Sequence, residues 1–217
     1  TNNFKIYQKL LLLRNHGEIV IENPSFKVNK NLLTNLIGYN YRLSEIQAAI
    51  AYQQLKKLKY FVKDRQRVAK KLIKKLKNLN GIILPHIDKK NSHAFYIFPI
   101  NLNLKLLPKG ITRSKIVNAL VAEGVTGLSE GYFNLHKLNL FKKKIAYGKY
   151  GFPWKIGKDK NKVNYNQKCP NAEYFHNKSF ITFELCLNKL TNSEINLVCK
   201  AFFKVWENFN ILRKKKI

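Results

Sequence analysis

Apolar residues recur along this chain with two periods, one helical and one short and strand-like. In "FKIYQKLLLLR", residues 4–14, Phe4, Tyr7, Leu11 and Arg14 fall at helical spacing, and Gly17 is placed to end the helix. A loop containing Pro24 then runs to about Leu36. Ser44 and Gln47 have the form of a capping box: the Ser44 side chain accepts from the Gln47 N–H, and the Gln47 side chain returns to the Ser44 N–H. Ile46, Ala49, Ile50 and Leu58 mark a face of the helix that follows, kept slim by Ala48, Ala49 and Ala51. A second long helix is predicted over 62–79, with Ala69, Leu72, Ile73, Leu76 and Leu79 on one side and lysines on the other. Asn80-Gly81 stops it.

"GIILP" and "HAFYIFPI" read as short strands, with Pro99 placing the second near a sheet edge or strand end. Thr112 caps a helix, "RSKIVNALVAE", that ends at Gly124, and "VTGL" is a short strand after it. A long irregular stretch covers 129–168. Pro170 fits the start of a helix through "NAEYFHNK", "FITFELCL" reads as a strand, and Thr191 with Glu194 opens a last amphipathic helix through Trp206 and Phe209. That order describes an α/β or α+β layer, helices packed on a small sheet. There is no internal repeat, and the terminal "RKKKI" reads as a solvated tail.

Composition bounds the rest. At 217 residues and 45% hydrophobic the chain is long enough for a sizeable core in one or two domains. No apolar run approaches the roughly 18 residues of a membrane span, and no signal peptide is visible at "TNNFK". A chain that opens on Thr1 and holds no methionine reads as a piece of a longer protein. Cys169, Cys186 and Cys199 lack CxxC spacing, which predicts reduced thiols in a cytoplasmic protein. The net charge is +29, yet only six of the 41 basic residues are arginine (14, 42, 65, 67, 113, 213). Surfaces that bind nucleic acid favour the planar arginine fork. Lysines spread over every helix, in an asparagine-rich chain, read as a solvated basic surface instead.

Most catalytic spacings are absent: there is no GxxxxGK[ST], GxGxxG or GxSxG. Asp occurs only at 64, 88 and 159, too few for paired-carboxylate hydrolysis, and Cys169 with His176 makes no metal site without a second ligand pair. His86 and His93 flank strands and read as structural. "GYNYRLSEIQAAI", residues 38–50, stands apart. Asn40 offers an amide donor and Arg42 a guanidinium fork just ahead of a helix N-terminus, a combination suited to an anion and above all a phosphate.

"LLLLRNHG" followed by "GYNYRLSEIQAAIAYQQLKKL" and a helix with the pattern R...A..L...L resembles the DegT/DnrJ/EryC1/StrS aminotransferases, pyridoxal-phosphate enzymes of fold type I that act mostly on nucleotide-linked keto-sugars. "VAEGVTGL", "CPNAEYFHNKSFITF" and "LTNSEINLVCKAF" continue the likeness more loosely, in the right order to the end of the chain. The resemblance implies a C-terminal portion of such an enzyme. Residues 1–60 would be the tail of the large cofactor domain with a dimer-contacting loop. Residues 61–217 would be a small α/β domain with a short, mainly antiparallel sheet.

The same resemblance assigns roles. Asn40 matches the asparagine that reaches across a homodimer with shared active sites to the phosphate of the neighbouring pyridoxal 5′-phosphate, and Arg42 matches the motif's arginine, which binds there or positions the loop. Tyr132 and His136, in "SEGYFNLHKLNLF", correspond to a small-domain loop that faces the substrate, and His16 approaches the site from the end of its helix. The departure from the family's "HYxPxH" wording, with the added "YGKYGFPW", leans toward cyclitol ketones or unusual sugars. The lysine that forms the family's Schiff base matches a position before Thr1, so no catalytic residue is assigned within this chain. The expected activity of the intact protein is amino transfer from glutamate or glutamine to a keto-sugar or cyclitol ketone. The alternatives are a dehydratase of the same family, a basic module that binds nucleic acid, and a non-catalytic remnant that only dimerises.

Overall fold

The computed structural model describes residues 1–17, 37–88, 90–147, 150–155, 166–185 and 189–214. Residues 18–36 with the loop that contains Pro24, Cys186 and the last three residues lie outside these, as does part of the stretch 129–168. The chain divides into two compact units, residues 1–59 and 60–217.

The first unit contains α1 (Phe4–Arg14) and the start of α2 (Glu45–Leu76). Asn3 caps α1, its side chain accepting from the Lys5 and Ile6 N–H groups. Both halves of the capping box at α2 are formed: Ser44 N–H donates to Gln47 Oε1 at 3.2 Å and Gln47 N–H to Ser44 Oγ at 3.3 Å. The two helices expected either side of residues 58–62 are one helix of 32 residues. Nothing in "LKYFV" breaks it, since the stretch has neither glycine, proline nor a capping side chain.

The second unit carries a four-stranded antiparallel sheet in the order β1 (Ile82–Ile83), β2 (Phe98–Leu102), β4 (Phe180–Phe183), β3 (Leu128–Glu130). Pro99 is the second residue of β2, near a strand end as expected, although β2 is a central strand and not a sheet edge. The ladder tolerates it because β1 pairs only with Leu102 and Asn101, so the β1 side of the strand is unpaired at Pro99. Only the last three residues of "HAFYIFPI" are strand. Phe95 takes φ +48°, with its N–H donated to His93 Nδ1 at 2.8 Å, and that turn ends the extended run. β3 begins later than expected because Gly124 and Gly127 both have positive φ.

α3 (Arg113–Ala122) and α6 (Asn192–Glu207) pack with the last part of α2 on the sheet, and the short α4 (Asn139–Lys142) and α5 (Pro170–Tyr174) lie between α3 and α6 in the chain. Val68, Ala69, Leu72 and Leu76 from α2, Ile116 and Leu120 from α3, and Ile195, Cys199, Phe202 and Val205 from α6 join Phe98, Ile100 and Ile181 in one buried core. Spacings of three and four place each set on one face of its helix. α6 opens on the expected Thr191–Glu194 capping box and is followed, after Asn208, by a short α7 (Phe209–Lys214). Arg113 ties helix to sheet: its Nε donates to Glu130 Oε2 at 3.0 Å and its Nη1 to His176 O at 2.5 Å. No helix among the described residues is long and apolar enough to cross a membrane.

Candidate functional site

α1 ends with Asn15 as its C-cap, and His16 and Gly17 follow at φ 57° and 77°. A helix leaves its last carbonyls without partners. Here Leu12 O accepts from Gly17 N–H at 2.9 Å, as in a Schellman turn. The next two carbonyls go to the GYN segment: Tyr39 N–H donates to Leu13 O at 2.7 Å and Tyr41 N–H to Arg14 O at 2.9 Å. His16 N–H donates to Tyr39 O at 2.9 Å, and Asn15 and Asn40 form an antiparallel bridge. This approach explains Gly38. A Cβ there would lie 1.9 Å from Gly17 N and 2.4 Å from His16 C, so only glycine fits.

The backbone of Asn40 is fixed by its neighbours, while its side chain is exposed and has no hydrogen-bond partner among the described residues. An amide in that state keeps its N–H donors for an external acceptor. The Arg42 guanidinium is directed elsewhere, its Nη1 donating to Asn15 Oδ1 at 2.8 Å and its Nη2 lying 3.3 Å from His16 Nε2. Asn40, Arg42 and His16 are thus brought together in the first unit, and the buried Asn15 that anchors the fork is a residue the sequence pattern does not single out. Tyr39 and Tyr41 stack at 5.2 Å between ring centroids.

Tyr132 and His136 belong to the second unit. Tyr132 is 68% exposed, and its N–H donates to His176 Nδ1 at 2.9 Å. His136, on a short 3-10 turn (Leu135–Lys137), has Nε2 3.2 Å from Glu173 Oε1. Glu173 lies in α5 (Pro170–Tyr174), which continues into a π turn (Phe175–Ser179) before β4. Its Oε2 accepts from Lys137 Nζ at 2.6 Å and its Oε1 from Cys169 N–H at 3.2 Å. The Lys137 ammonium, with the Cys169 amide and the His136 ring, holds the carboxyl at about 2. Glu173 and His176 carry no role in the sequence reading. A signal for the first exists in the charge balance: with 12 acidic residues against 41 basic ones, each carboxylate has a choice of partners, and those chosen mark built contacts.

Burial pushes the Cys199 thiol up, so it is a core group and no nucleophile. No group of three or more His, Cys, Asp or Glu that could hold a metal ion occurs among the described residues. A cavity of about 520 Å³ opens beside Val125, Phe183, Leu190 and Leu197, and none of the candidate residues lines it.

Residues 1–155 match the DegT/DnrJ/EryC1/StrS aminotransferase family. An uncharacterized protein of Methanocaldococcus jannaschii is 32% identical over 155 residues, which cover 70% of this chain and 39% of that protein. The GDP-perosamine synthase of Caulobacter vibrioides is 29% identical over 126 residues, 58% of this chain and 31% of the synthase. Among solved structures, an aminotransferase from Psychrobacter cryohalolentis superposes with a TM-score of 0.70 at 20% identity, over 97% of this chain and 51% of the other. The chain therefore spans about half the length of that structure and less of the curated relatives, and its fold is that of the corresponding part of these enzymes. With its GYN segment seated on the end of α1 and a match that runs over residues 1–155, the chain belongs to the DegT/DnrJ/EryC1/StrS aminotransferase family.

Proposed function

We infer that this chain supplies the phosphate-holding loop and the substrate loop of a pyridoxal-phosphate-dependent sugar aminotransferase. The amino group passes from glutamate or glutamine to a keto-sugar, nucleotide-linked, or to a cyclitol ketone. The observation that carries this reading is Asn40: an exposed amide without a partner among the described residues, on a backbone that three hydrogen bonds hold to the end of α1. Such a donor fits a phosphate, because its backbone is placed before the anion arrives and only the side-chain rotamer is left to order on binding.

Each residue has a stated task. Asn40 donates to a phosphate oxygen of the cofactor, which when bound supplies the electron sink for amino transfer. Arg42 keeps the loop in place through Asn15 and His16, and its charge adds to the attraction for the anion. Tyr132 and His136 meet the sugar. The loop serves the cofactor of a second copy of the chain, and the apolar side chains exposed in the first unit, among them Ile46, Ile50, Leu55 and Leu58, support a homodimer that covers them. None of the lysines of this chain is assigned the Schiff base.

The test is a titration with pyridoxamine 5′-phosphate, which needs no lysine, followed by the fluorescence of the tyrosines flanking Asn40. Asn40→Ala is expected to weaken binding about tenfold, and Asn40→Asp more, since a carboxylate repels phosphate. Equal binding by all three proteins rejects the reading.

A further inference from the structure

The segment from Gly131 to Lys137 is clasped by α5 and the π turn. At one end Gly131 N–H donates to Phe180 O at 2.8 Å and Tyr132 N–H to His176 Nδ1 at 2.9 Å. The approach is so close that a Cβ on Gly131, which has φ +65°, would lie 2.3 Å from His176 O. At the other end both oxygens of Glu173 are engaged, Oε1 by His136 and Oε2 by Lys137. Glu173 is itself fixed from within its own helix by the Cys169 N–H. One carboxylate therefore joins two successive side chains of the loop to a short helix 36 and 37 residues further along the chain.

The chemistry of that contact selects a tautomer. An ionised carboxylate only accepts hydrogen bonds, so the His136 nitrogen facing it must carry the hydrogen. In the neutral ring the lone pair then lies on Nδ1, which has no partner among the described residues. A histidine without such a contact exchanges between its two neutral forms and presents a donor or an acceptor by turns. Held by the carboxylate, the neutral ring presents an acceptor only.

We propose that Glu173 is a positioning residue of the substrate loop, fixing His136 as the Nε2–H tautomer so that Nδ1 accepts a hydrogen bond from a hydroxyl group of the substrate. This rests on the reading of Tyr132 and His136 as the residues that meet the sugar. The Tyr132–His176 contact sets the other end of the same loop, and Gly131 allows the approach. Lys137 shares the carboxylate and keeps it ionised.

Nitrogen-15 NMR of the histidine-labelled chain reads the tautomer directly, with His136→Gln used to assign the resonance. The wild-type protein is expected to show His136 with hydrogen on Nε2, and hydrogen on Nδ1 overturns the proposal. Glu173→Gln replaces a pure acceptor by a group that also donates, so a mixture of tautomers is expected; an unchanged tautomer removes Glu173 from the role. The ligand arm uses a UDP-linked 4-keto-6-deoxyhexose. It is expected to shift Nδ1 of His136 and to leave the Nε2 coupling in place. A fixed tautomer with no shift on adding the sugar overturns the substrate role of Nδ1. If pyridoxamine 5′-phosphate still binds through Asn40, the aminotransferase reading survives that result, and if it does not, that reading fails as well.

Discussion

In residues 60–214 the sheet and the faces of α2, α3 and α6 close over a continuous core, with Leu72, Phe98, Ile116, Ile181, Ile195 and Phe202 wholly removed from solvent. In residues 1–59 the buried apolar group among the described residues is Leu12, while Phe4, Leu10, Tyr41, Leu43, Ile46 and Ile50 are exposed. What orders the first unit is a set of directed contacts: carbonyls of α1 taken by the GYN segment, the Arg42 fork, and the Ser44 capping box. Burial of a large side chain contributes about 2 kcal/mol or more, and an intramolecular hydrogen bond about 1 kcal/mol net. The second unit therefore draws its stability from packing, and the first draws its geometry from hydrogen bonds while apolar side chains remain exposed on it.

The comparison breaks most visibly in the core. Phe202→Ala leaves a large cavity under the sheet and should cost about 3–5 kcal/mol in denaturant unfolding. A loss below 1 kcal/mol would show that the second unit is not held by packing. Gly38→Ala comes next, since neither backbone partner of the new Cβ has room to move; the cost is about 2–3 kcal/mol. It is expected to abolish the amide exchange protection of Tyr39 and Tyr41 and to leave the protection of β2 and β4 intact. Loss of protection in both regions would mean that the two units are not separate in stability.

Arg42→Ala removes the fork and should cost about 1 kcal/mol, read as faster exchange at Tyr41. Lysine at this position should not restore it, because a single ammonium does not reproduce the fork that spans Asn15 and His16. The smallest effect is on acid stability. Glu173 has its carboxyl lowered to about 2 in the folded protein, so the stability it adds is present above the ordinary carboxylate range and is lost as pH falls from there through about 2. The difference between wild type and Glu173→Gln in acid titrations should shrink over that window. A difference that persists unchanged below it would take the ion pair out of the account.

Much of the local structure was legible along the chain, for physical reasons that are themselves local. Helix 4–14, the Ser44 and Thr191 capping boxes, the Thr112 cap and the Pro170 helix start each depend on side chains within four residues of one another. Strand limits were less legible. The expected strand at residues 93–100 is cut short by a turn at Phe95, and that at 125–128 is delayed by glycine turns. The expected break in α2 came from a change in which residues look apolar along it, and that change records two environments rather than two helices.

For the candidate site, the sequence singled out Asn40 and Arg42 because such polar chemistry is unusual ahead of an alanine-rich helix, and the family resemblance added His16. It did not reveal that Arg42 points to Asn15, nor that Gly38 is required by a backbone 21 residues earlier in the chain. Glu173 and His176 escaped for the same reason, since their contacts to the Tyr132–Lys137 loop span more than 30 residues.

By itself, then, the sequence determined where the capped helices start, which face of each is apolar, and which family its motifs resemble, because periodicity and capping act over one or two turns. Only the tertiary structure decided which carbonyls the GYN segment closes, which nitrogen of His136 meets a carboxylate, and which apolar faces are covered. Those are choices among partners distant in the chain, and no local pattern distinguishes one partner from another.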